Sequence, residues 1–81
     1  MISISKESKL KPNEVIKRAI DFFGAKGYGL ILKEEDNCSA YLEGGGGGVR
    51  ISAAATRKGS TVDVEAREWE TQATNFLTAI K

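Results

Sequence analysis

Histidine is absent from this chain of 81 residues, and cysteine, proline and tryptophan each occur once. Without histidine, the commonest general base and the commonest metal ligand are missing. The single Cys38 excludes an internal disulfide, and it lacks the imidazole that usually activates a thiol. No apolar run approaches the roughly 18 residues of a membrane span. The N-terminal residues, Met1-Ile2-Ser3-Ile4-Ser5-Lys6-Glu7, lack the basic and apolar regions of a signal peptide. A cytoplasmic location with no membrane association is the expectation. Neither charge sign dominates: 12 Lys and Arg face 11 Asp and Glu, and the signs are interspersed. Non-specific nucleic-acid affinity comes from clustered cations, so nucleic acid is not an expected partner.

The chain does have the composition of an ordinary folded domain, with 41% hydrophobic and 28% charged residues. Its length predicts one domain over residues 1–81. Glycine is concentrated in one run, Gly44-Gly45-Gly46-Gly47-Gly48. Such a backbone packs no side chain and loses the most entropy on folding. It forms either a permissive hairpin loop or a bare surface that a ligand or partner approaches. A phosphate-binding P-loop would continue into Gly-Lys-Ser/Thr and a helix, whereas this run leads into Val49-Arg50 and a strand pattern.

Periodicity divides the rest. Ile2 and Ile4 alternate with Ser3 and Ser5, a short strand. Pro12 suits a first helical position after a Lys11 cap, with Leu10 and Val15 at staple positions. Val15, Ile16, Ala19, Ile20 and Phe23 make one helical stripe, and Gly24 or Gly27 is expected as a left-handed stop. Four alternating segments follow, with Tyr28, Leu30 and Leu32, then Cys38, Ala40 and Leu42, then Val49, Ile51, Ala53 and Ala55, then Val62, Val64 and Ala66 pointing inward. Glu34-Glu35-Asp36-Asn37 reads as a turn. Parity allows a two-residue turn at Lys58-Gly59, with Ala55 opposite Val62, and it sets Leu42 opposite Val49 around the glycines. Trp69, Ala73, Phe76, Leu77 and Ile80 recur at helical spacing, with Glu70 near the start and Lys81 at the end, as the helix dipole prefers.

The order β-α-β-β-β-β-α predicts an α+β two-layer sandwich, an antiparallel meander with both helices on one face. As topology alone, this order resembles one repeat of the TATA-binding-protein fold, and loosely the helix-grip folds. No sequence motif of either group accompanies it, so it implies no activity.

The remaining motifs have plain structural readings. Gly24-Ala25-Lys26-Gly27 has the spacing of the KH-domain GXXG loop, but a strand pattern follows where that loop needs a helix. A double-stranded-RNA-binding domain needs a basic cluster where this chain has Arg67-Glu68-Trp69-Glu70. Asp63 and Glu65 read as a solvated strand face, and Cys38 as a small buried hydrophobe. Trp69 reads as an anchor where the last helix begins. Tyr41 and Arg50 should stack as a cation–π pair on the outer face. With no catalytic constellation, no enzyme activity and no cofactor or metal are expected. The expected function is a small interaction module, taking a protein partner or a second copy. Its candidate contacts are Ile31, Tyr41, Arg50 and Ser52 on the open sheet face, with Gly44, Gly45, Gly46, Gly47 and Gly48. The alternative is a small-ligand carrier with a pocket between helices and sheet.

Overall fold

The computed structural model describes residues 2–80. Strand β1 (Ile2–Ser8) leads to helix α1 (Pro12–Phe23), then to strands β2 (Ile31–Glu35), β3 (Ser39–Gly44), β4 (Gly47–Thr56) and β5 (Gly59–Arg67), and ends in helix α2 (Glu70–Ala79). The strands form one sheet in the order β1-β5-β4-β3-β2, with every neighbouring pair antiparallel. This is the expected α+β architecture. Apolar residues at alternate strand positions share one face, and both helical stripes pack onto it. Val15, Ala19, Phe23, Leu42, Val49, Ile51, Val62, Val64 and Ala73 are fully buried there. Phe22, Phe23 and Phe76 fill the space between the helices, with ring centroids 4.9–5.6 Å apart.

Helix α1 begins as its sequence predicts. Pro12 has no N–H to leave unsatisfied, and the Lys11 carbonyl accepts the Glu14 and Val15 N–H groups at 3.0 Å each. Its end differs from expectation. Gly24 sits at φ −81°, outside the left-handed region, and donates its N–H to the Ile20 carbonyl at 2.8 Å. Glycine is needed because a Cβ would lie 2.3 Å from that carbonyl oxygen. At the end of α2, expected Lys81 lies outside the described residues. A distant lysine takes that role. Lys6 Nζ, on edge strand β1, donates to the Leu77 carbonyl at 2.5 Å and the Ile80 carbonyl at 3.0 Å. A cation thus meets the negative end of the helix, and an inward-pointing charge guards the sheet edge. Replacing Lys6 by Met should cost about 1.5–3 kcal/mol, the range for hydrogen bonds to a charged group. Hydrogen exchange checks this, since the amides of the last turn of α2 should lose protection before those of β4.

Three local expectations are corrected. Strand β2 starts at Ile31 instead of Tyr28, because Gly29 turns the chain at φ +80°. Tyr28 therefore folds back onto Phe22 and Trp69, with centroids at 5.5 and 5.7 Å, and is half exposed. Leu32 faces the inner side but stays 37% exposed, because α1 packs over β3, β4 and β5 and leaves β2 bare. Cys38 is exposed instead of inward. The Asp36 carboxylate accepts the Cys38 N–H at 2.9 Å, so Cys38 belongs to the turn and β3 begins after it. Finally, the β4–β5 turn is Arg57-Lys58, and Ala55 pairs with Ser60 while Ala53 pairs with Val62. This register is shifted by two residues from the expected one; such a shift preserves the face of each residue, but Ala55, expected inward, is exposed. What selects it is Gly59, which passes so close to β1 that a Cβ would meet the Ser8 carbonyl oxygen at 2.1 Å.

Candidate functional site

The outer face of the sheet has no covering layer. Its rows follow from strand register. Glu34, Tyr41, Arg50, Glu65 and Ser3 lie side by side across all five strands. The row toward the glycine turn runs Ile31, Glu43, Gly48 and Arg67. The row on the other side runs Ser39, Ser52, Asp63 and Ser5, where the Ser5 hydroxyl donates to the Asp63 carboxylate.

Polar groups in the middle row hold one another. The Arg50 guanidinium lies 4.8 Å from the centroid of the Tyr41 ring and 3.9 Å from the Glu34 carboxylate. The Tyr41 hydroxyl donates to the Glu43 carboxylate at 2.9 Å, which holds the phenol above its ordinary pKa. The Tyr41–Arg50 stack expected from the sequence is therefore present. Because these groups are only partly buried, each pair contributes little stability, but together they set the direction of the Tyr41 ring.

The five glycines do three different jobs. Gly45 and Gly46 are the turn, at φ +58° and +83°, the two left-handed positions of a type I′ hairpin. Gly44 and Gly47 pair across it, and the Trp69 indole N–H donates to the Gly44 carbonyl at 2.8 Å. Gly47 is buried under the β5–α2 junction. Gly48 is buried under Tyr41, since a Cβ there would lie 2.8 Å from the phenol oxygen. An aromatic ring covering a cross-strand glycine restores packing that the missing side chain cannot supply.

Two shallow depressions result. One, of about 320 Å³, is lined by Tyr41, Gly48, Arg50, Glu65, Ala66 and Arg67. Its neighbour, about 350 Å³, has Ile31, Lys33, Glu43, Gly44, Gly46, Gly47 and Arg67 around it. Arg67 stands between them. Of the residues singled out in the sequence, Tyr41, Arg50 and Gly48 come together in the first. Ile31, Gly44, Gly46 and Gly47 meet in the second. Ser52 lies one row away, and Gly45 turns toward Trp69, where an added Cβ would lie 3.1 Å from Cζ2. The sequence reading missed Arg67, Glu65 and Glu43 as neighbours of the glycines. Only the two-residue register shift places Arg67 opposite Gly48.

Charge on this face is uneven. Glu7, Glu34, Glu43, Asp63 and Glu65 outnumber Arg50, Arg67 and Lys33. Among the described residues, no cluster of acidic or thiol side chains has the arrangement of a metal site. Among the same residues, no helix is long and apolar enough to cross a membrane. On the helix side, the Phe22, Phe23 and Phe76 rings pack together, and an open depression of about 320 Å³ lies between α1 and α2, lined by Arg18, Asp21, Phe22, Phe76, Ala79 and Ile80. Comparison with known protein families, curated proteins and solved structures gives no significant match to this chain.

Proposed function

We propose that this chain is a small non-enzymatic interaction module that seats a protein partner on the uncovered face of its sheet. The observation that carries this reading is the one-sided covering. Both helices pack on the inner face, and the outer one is left with small residues, one aromatic ring and two depressions either side of Arg67. A rigid sheet is a good platform, because strand pairing holds its side chains in place without help from the partner. The excess of carboxylates on it favours a partner whose contacting surface is basic. Tyr41 and Arg50, beside the first depression, are engaged with Glu43 and Glu34, and the chain has no histidine to act as a base, which favours binding over catalysis.

Site-specific photo-cross-linking tests the reading. A cross-linker at Ser52 or Arg67 should give one defined product, either with a basic protein or with a second copy. The same probe at Lys17, on the exposed side of α1, should give none. Reversing Asp63 and Glu65 to Lys together should lower the yield at least about tenfold, an amount equivalent to about 1.4 kcal/mol. Equal products from Lys17, or a product indifferent to the reversal, would sink the proposal.

A further inference from the structure

We infer that strand β2 is a docking edge, to which a partner protein adds one extended segment of basic and apolar residues. This edge is separate from the outer sheet face and stands whether or not that face binds. Strand β2 lies at one margin of the sheet, and its backbone hydrogen bonds run only to β3. The amide and carbonyl groups on its far side therefore stand open at strand spacing, and another strand is what satisfies such a row in register. All five residues of β2 are exposed. Among the described residues, the large apolar side chains left exposed are Tyr28, Ile31 and Leu32, on β2 or just before it. The opposite margin is guarded. On β1 the inward Lys6 is tied to the end of α2, and a charge in that position blocks an incoming strand.

Charge decides which strand. The segment Ile31-Leu32-Lys33-Glu34-Glu35-Asp36 has one cation and three carboxylates. A second copy of β2 would set like charges across the new ladder, which is destabilising. An oppositely charged segment meets no such barrier. A groove of about 380 Å³ runs between α1 and the β2–β3 turn, with Ile16 and Ile20 in it and Glu14, Asp21, Glu35 and Asp36 outnumbering Lys17 around it. Among the described residues, Glu14, Asp21 and Glu35 are in no ion pair. A long basic side chain beside Glu35 reaches back toward these carboxylates. Register gives the order of the added residues. Strand β3 meets Glu35, Glu34, Leu32 and Ile31 with its consecutive residues Ala40, Tyr41, Leu42 and Glu43, stepping over Lys33. An antiparallel strand on the free side, paired in the same way, places four consecutive residues there. The first two, beside Glu35 and Glu34, are basic, and the last two, beside Leu32 and Ile31, are apolar.

Nuclear magnetic resonance titration of the full chain tests this, using a peptide of about ten residues with Lys-Arg-Val-Ile at its centre. Amide shifts should saturate with a Kd below about 1 mM and be largest at Ile31–Glu35, whose amides should also exchange more slowly. Methylating the four central amide nitrogens of the peptide removes ladder donors and keeps the side chains, so binding should weaken at least about tenfold. Glu35→Lys should weaken the basic peptide about five- to tenfold and make Glu-Glu-Val-Ile the better binder. Asn75→Lys, on the exposed side of α2, adds a cation elsewhere and should leave binding as it was. Equal binding of the methylated peptide, shifts centred away from β2, indifference to Glu35→Lys, or no saturation by about 2 mM peptide overturns the inference. So does concentration-dependent protection of β2 without peptide, which would make its occupant a second copy.

Discussion

Val64→Asp is expected to leave the domain unfolded in neutral buffer, with a random-coil far-ultraviolet spectrum and collapsed amide dispersion. Val64 is fully buried, flanked in the sheet by Ile4 on β1 and Ile51 on β4. A carboxylate there is enclosed by apolar side chains, and the nearby Lys6 ammonium is engaged with the Leu77 and Ile80 carbonyls. Burying it costs several kcal/mol even after it takes up a proton. A domain of this size has about 4–12 kcal/mol of stability to lose. Glu65→Lys is the control one position along. Glu65 points to water opposite Arg50. Reversing it sets like charges across two strands, at a cost under about 1 kcal/mol. Comparable losses from the two changes would refute the assignment of sheet faces, and the open-face binding proposal with it.

Gly47→Ala is expected to lower the melting temperature by about 10–20 °C, whereas Gly46→Asn should leave it within a few degrees. The Cβ added at Gly47 would lie 2.0 Å from the Arg67 carbonyl oxygen and 2.7 Å from Glu68 Cβ. The first of these is backbone, so relief requires moving the β5–α2 junction. That junction is already constrained, because Glu68 is held at φ +68° and the Trp69 indole is bonded to Gly44. Overpacking of this kind costs about 2–3 kcal/mol, and each kcal/mol moves the midpoint of a domain this small by about 4–8 °C. At Gly46 nothing lies within 4 Å of the added atom, and asparagine tolerates the left-handed turn. Thermal unfolding of the two variants side by side makes the comparison. Equal, small effects would mean that the run is a permissive loop along its whole length.

These variants also separate two kinds of information. Whether a residue points inward is local: alternation assigns Val64 to the core and Glu65 to water, and the α1 stripe predicts Val15, Ala19 and Phe23 as buried. Element order, one-sided helix packing and the Leu42–Val49 pairing were legible for the same reason, since burial must follow the period of the backbone. Pairing between strands is not local in this way. Parity excludes a slip by one residue but is blind to a slip by two, so the position of Arg67 beside Gly48 was out of reach. Its place was decided by the close passage of Gly59 against Ser8. Glycine's role is equally non-local. The sequence by itself determined that the run Gly44-Gly48 joins two strands; only the tertiary structure decided that Gly45 and Gly46 turn, that Gly47 yields to the Arg67 carbonyl, and that Gly48 yields to Tyr41. The same holds for charge. Interspersed signs along the chain become an acidic sheet face and an acidic groove beside β2, because folding places side chains by register and contact, and composition records neither.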